Sequence, residues 1–197
     1  MTDSRLGRRK APDTGSVYDK PLPKGKSEIN LSTFAFLFSE VVQYNHGRVT
    51  SLTQLHEKLS ELGHHVGFRM IDVLALREKA PKRETKHVNM LWFIQKTLWK
   101  TLFGKEADRL EQATANTSIY YLFEDEPLVN KFISVPKDQS SLNCAAFMAG
   151  VIEAFLNGTQ FPCKVRAFGI KDKPTTAFEI RFEDSVLSRD KILETLK

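Results

Sequence analysis

Residues 84–103 read as a helix that is apolar over more of its circumference than one core contact uses. At about 100° per residue, Val88, Leu91, Trp92, Leu98, Trp99, Leu102 and Phe103 fall within an arc of roughly 140°. That stripe already meets the need of a surface helix. Met90, Phe93 and Ile94 lie outside it. Several large apolar side chains left in water at one place mark an interface. These three positions are therefore expected to face a partner, and the chain to be one piece of something larger.

The rest of the sequence supports one domain of its own. The chain has 197 residues with 41% hydrophobic content, enough for a single core. Its net charge of +5 is unevenly placed, because residues 1–28 hold seven of the 29 basic but only four of the 24 acidic residues. The remainder is nearly neutral, and its aromatics lie on faces that want burial. A nucleic-acid domain would instead carry a basic face interleaved with stacking aromatics. Two cysteines do not make a disulfide framework, which favours a reducing compartment. With no apolar leader and no run of 18 or more apolar residues, the expectation is a soluble protein with at most peripheral membrane contact.

Residues 1–28 are broken by Pro12, Gly15, Pro21, Pro23 and Gly25 and read as a flexible basic tail. Arg5, Arg8, Arg9 and Lys10 make it a candidate arm toward an acidic partner or a membrane surface. Order is expected over 29–197. Ser32 is placed to cap a helix through Asn45, with Phe34, Leu37, Phe38, Val41 and Val42 inward and Phe36 pointing away as a contact candidate. Ser51 and Gln54 have capping-box spacing for the next helix. Gly63 interrupts its Leu52, Leu55, Leu59, Leu62 stripe, so the segment ending at Pro81 is two helices or one with a bend.

The second half changes period. In 118–123, Ile119, Tyr121 and Phe123 share one side of a half-buried strand. Residues 124–127 form a polar turn, and 132–135 a second strand. Ser140 or Ser141 caps a helix to Leu156 whose Ala145, Ala146, Ala149 and Gly150 permit close approach to a sheet. Residues 163–168 and 177–182 are strands, and 185–196 a terminal helix. This order predicts an α+β fold, with helices on one face of a small antiparallel sheet of about four strands.

Chemistry is hard to find. His64 and His65 diverge by about 100° on a helix, and His46, His56 and His87 sit alone, so no metal set is expected. Cys144 near a helix start could be activated by the dipole, but its apolar neighbours favour a buried structural thiol. The acids 124–126 before Pro127 read as a solvated turn rather than an acid–base pair. No phosphate loop, dinucleotide fingerprint or nucleophile elbow is present. No catalytic residue and no cofactor is expected.

The run Gly63-His64-His65-Val66-Gly67-Phe68-Arg69-Met70-Ile71-Asp72, followed by Arg83-Glu84-Thr85, resembles the Bet-three family of vesicle-tethering (transport protein particle, TRAPP) subunits. So do Glu126-Pro127-Leu128-Val129 and the stretch from Pro136 to Ser141-Leu142. The block 99–108 and Ser140-Ser141-Leu142-Asn143-Cys144 resemble one branch of that family. The resemblance implies an α/β-plait in a non-enzymatic subunit of a cytoplasmic assembly. That assembly serves endoplasmic reticulum-to-Golgi and intra-Golgi traffic as an exchange factor for a Rab GTPase. It further implies pairing with related subunits through the first helices, in general accord with Phe36, Met90, Phe93 and Ile94. The founding member carries an acylated cysteine shortly before Arg-Glu-Thr. Here that position falls on or near Lys79, so no acyl chain is expected. The other reading of the aromatic-rich helices is a hydrophobic-ligand-binding domain of related fold.

Overall fold

Asn30 rather than Ser32 caps the first helix. Its side-chain oxygen accepts from the Ser32 amide at 3.0 Å and caps α1 (Leu31–His46). The structure is a computed structural model that describes residues 29–77, 83–135, 142–171 and 173–195. The basic tail with Arg5, Arg8, Arg9 and Lys10, the position of Lys79, and the caps Ser140 and Ser141 lie outside the described residues.

Helix α2 (Leu52–Arg77) runs unbroken, opened by Ser51 and by Gln54 reaching back to the Thr50 amide. Gly63 does not interrupt it. A methyl group on Gly63 would lie 2.0 Å from the Phe147 carbonyl oxygen, and one on Gly150 would lie 2.0 Å from that of Ser60. The glycines let α2 and α6 (Ala146–Gly158) approach backbone to backbone. The small residues of α6 thus serve α2, where the sequence pointed to the sheet. Leu55, Leu59 and Leu74 seal this contact, and α6 is buried along nearly its whole length because it lies between α2 and the sheet.

The sheet order is β1-β2-β4-β3, all antiparallel. The strands are β1 (Arg109–Gln112), β2 (Ile119–Glu124), β3 (Cys163–Gly169) and β4 (Thr176–Phe182). Four strands match the expected number, but the expected strand at 132–135 is not among them. Residues 132–135 follow the short α5 (Leu128–Lys131) as irregular chain. Edge strand β1 takes that place in the sheet. It escapes alternation analysis because Leu110 is its one apolar residue.

The inward side of β2 is the one opposite Ile119, Tyr121 and Phe123. Tyr120, Leu122 and Glu124 are buried, whereas Ile119, Tyr121 and Phe123 are half-buried on the other face. Polar tips are tolerated inside because each is met. The Tyr120 hydroxyl accepts from Gln112 Nε2 at 3.0 Å, and Trp99 Nε1 donates to Glu124 Oε2 at 2.9 Å. Lys105 pairs with the other Glu124 oxygen. Phe178, Ile180 and Phe182 complete the inner face, and Trp99 packs edge-on to Phe178 with ring centroids 5.6 Å apart.

Burial pushes the Glu124 carboxyl above its ordinary value of 4.5, against the opposing pull of Lys105. As pH falls through that raised value toward 4.5, the native state takes up the proton before the unfolded chain does. This group therefore adds stability on acidification, opposite to an ordinary surface carboxylate. Glu124→Gln should flatten that component, read from urea midpoints at a series of pH values. Parallel pH curves for variant and parent would refute it.

Three helical pieces cross the sheet in one line: α3 (His87–Phe93), a π-helical turn (Ile94–Leu98) and α4 (Trp99–Phe103), closed by Gly104 at φ 75°. Lys86, at the start of α3, supplies no side-chain cap. Asp190 does so from the terminal helix α7 (Asp184–Thr195). Its Oδ2 accepts from the His87 amide at 2.9 Å and faces His87 Nδ1, while His87 Nε2 lies 2.9 Å from the Tyr120 hydroxyl. A carboxylate at a helix N-terminus satisfies an orphan amide and the dipole together.

Candidate subunit interface

The surplus apolar positions fall into two groups. Met90 and Ile94 are buried in the chain's own core, 7% and 1% exposed, and the expectation that they face a partner is corrected. Phe93 is half-buried, its ring stacked on Phe155 at 6.1 Å. Trp92, placed inward by the sequence, is exposed under the Lys96 ammonium.

The physical reason is the π-helical turn. Its wider bonding fits about one extra residue into a turn, so the inward face rotates by about 100° along the segment. Before the turn that face carries His87, Met90 and Leu91; within and after it, Ile94, Gln95, Leu98 and Trp99. The segment also meets the sheet, α6 and α7, which covers more of it than one contact would.

Phe36 behaves differently. It is 77% exposed on α1, beside Leu37 at 64% and Tyr44 at 56%. At 100° per residue these three lie within an arc of about 100°, with Thr33 and Glu40 between them. Leu37, expected inward, faces solvent, and Tyr44 joins it there. Arg48 covers the Tyr44 ring at 3.9 Å, and this i,i+4 pair is the signal that could have found it. Among the described residues, α1 meets the body along a narrow stripe, with Phe34 stacked on Phe38 and Phe38 edge-on to Phe147 at 5.4 Å.

On the opposite flank of α1, a groove of about 360 Å³ separates Val42, Gln43 and His46 from Phe132, Ile133 and Leu142. Phe132 and Val135 are exposed there. The irregular 132–135 chain thus extends the apolar surface alongside α1.

The candidate chemical groups are dispersed. Burial pushes the Cys144 thiol up to about 11 and the Cys163 thiol higher still, so both are held as thiols. His56 Nε2 accepts the Asn143 amide, and His64 lies 3.6 Å from Glu153. The acids after β2 separate: Glu124 goes to Trp99 and Lys105, Asp125 accepts from the Thr175 hydroxyl, and Glu126 faces Lys131. Among the described residues, no cluster of three or more His, Cys, Asp or Glu is arranged to hold a metal ion. No helix among them is long and apolar enough to cross a membrane.

A helix-covered antiparallel sheet with an apolar first helix turned to solvent defines an assembly module, and the comparisons identify which. The family model described as Transport protein particle (TRAPP) component matches residues 34–183, and the chain belongs to that family. It is similar to trafficking protein particle complex subunit 5 of Gallus gallus, at 48% identity over 192 residues covering 98% of both chains. The subunit of that name in Dictyostelium discoideum is 47% identical over 179 residues, 89% of this chain and 96% of the relative. Among solved structures, a trafficking protein particle complex subunit 3 from Naegleria fowleri, covalently bound to palmitic acid, superposes with a TM-score of 0.70. It shares 17% identity, with 79% of this chain and 96% of that one covered. At that identity the likeness shows the fold.

Proposed function

We propose that this chain is a scaffold subunit of a TRAPP vesicle-tethering assembly and that it seats a neighbouring family subunit on the outer face of α1. The observation that carries the reading is the solvent-facing trio Phe36, Leu37 and Tyr44 on a helix the body holds by one stripe. Burying each on a partner contributes about 1.5–3 kcal/mol gross, against association costs of several kcal/mol. The chain supplies no active site of its own. Exchange on a Rab GTPase, and attachment to endoplasmic reticulum and Golgi membranes, belong to the whole assembly. The arm with Arg5, Arg8, Arg9 and Lys10 fits this role as a contact with the GTPase or with anionic lipid.

The double variant Phe36→Glu, Leu37→Asp puts two charges on this face without touching the core, so its own stability should change by less than about 0.5 kcal/mol per site. Co-expression with its family partners should then yield the free chain by size-exclusion chromatography, with unaltered circular dichroism. Recovery of the double variant in the intact assembly would remove α1 as the seat.

A further inference from the structure

Edge strand β3 is sealed over half of its length. Its register with β4 pairs Cys163 with Phe182, Val165 with Ile180, Ala167 with Phe178 and Gly169 with Thr176, without a bulge. The Cys163 amide donates to Asn157 Oδ1 and the Val165 amide to Glu153 Oε2, both at 2.9 Å and both on α6. These amides therefore point away from β4. Donors in an antiparallel ladder alternate along the strand, so the Ala167 and Gly169 amides point the same way. One and two turns earlier on the same face of α6 stand Ala149 and Ala146. A methyl group accepts no hydrogen bond. A methyl on Gly169 would meet nothing within 4 Å, so no described residue packs over that end of the strand.

The side chains along the open half have their own signature. Phe168 is 42% exposed on the outer face of the sheet, edge-on to Tyr121 at 6.2 Å. Arg166 is exposed and has no ion-pair partner among the described residues. Lys164 and Arg181 share that face but are held by Glu153 and by Glu179, the residue opposite Arg166 in the register. An unpaired edge with an exposed aromatic is a template for an added strand. A second copy of this edge is disfavoured as the occupant, because β3 contains no carboxylate to offer Arg166.

We propose that residues 166–169 form a docking edge for an extended segment of a different protein. That segment adds a fifth strand with a carboxylate beside Arg166 and an apolar side chain beside Phe168. This surface lies on the sheet, apart from α1, and does not depend on the reading given for that helix.

The test is amide-resolved NMR of the full chain titrated with an eight-residue peptide of alternating glutamate and valine. The Ala167 and Gly169 signals should shift, and their hydrogen exchange should slow. Ala167→Pro removes an outward donor but no ladder bond, a change edge strands tolerate, and should weaken the peptide about tenfold. Should that variant fail to fold, Arg166→Glu, which is exposed, should weaken it by a similar factor. A lysine–valine peptide should give no shifts, while the α1 double variant should bind the acidic peptide as the parent does. Silent Ala167 and Gly169 signals at ~1 mM acidic peptide, or equal binding by Arg166→Glu, would overturn the assignment.

Discussion

Gly150→Ala should lower the thermal unfolding midpoint by roughly 6–12 °C. The added methyl would sit 2.0 Å from the Ser60 carbonyl oxygen and 2.7 Å from its carbon. Both obstacles are backbone, so no rotamer change relieves them. The helices must separate, and separation loosens Leu55, Leu59, Val151 and Ile152, all fully buried. Overpacking where side chains can adjust costs 1–3 kcal/mol. Where only helix displacement helps, about 3 kcal/mol or more is expected, which at 2–4 °C per kcal/mol gives the stated fall. Gly169→Ala is the control, since a methyl there touches nothing within 4 Å. It should leave the midpoint unchanged or slightly raised. Equal midpoints for the two variants would mean that the α2–α6 approach is not what stabilises the domain.

Asp190→Ala should cost about 3 kcal/mol, because one carboxylate does two jobs and its removal leaves both unmet. The His87 amide loses its acceptor at the start of a helix with no side-chain cap of its own, and the buried His87 ring loses the partner of Nδ1. The consequence should be local as well as global. Hydrogen exchange at His87 should rise to the rate of a frayed terminus, and α7 should lose protection, since Val186 and Asp190 are buried against the body. Asp190→Asn keeps an oxygen acceptor and should recover much of the loss. If Ala and Asn variants unfold alike, the charge rather than the cap holds the helix.

These two sites mark where local reading stops. Gly63 looks like an interruption within its own helix and is a contact once α6 is known. Asp190 is 103 residues from the amide that it caps. No window around 84–103 contains that cap. The inward face of the same segment is set by the π-helical turn. A fixed 100° step keeps Trp92 inside and Met90 and Ile94 outside, and one extra residue per turn reverses them. The same holds for β1: with one apolar residue among Arg109, Leu110, Glu111 and Gln112, it is a strand because β2 offers it an edge.

What the sequence by itself determined is the class: helices first, the strand at 118–123, a buried helix, the strand pair 163–168 and 177–182, a terminal helix. Hydrophobic period, caps and turn residues are local quantities and survive without knowledge of neighbours. Phe36 was legible for the same reason, since α1 is a regular helix that meets the body along one stripe. The tertiary structure alone decided which apolar face is spare. Burial of Met90 and Ile94 depends on the sheet, α6 and α7 closing around one segment, and exposure of Leu37 depends on how little of α1 is covered. Whether a greasy residue is core or contact is a property of what stands opposite it, and no residue carries that information in its own neighbourhood of the chain.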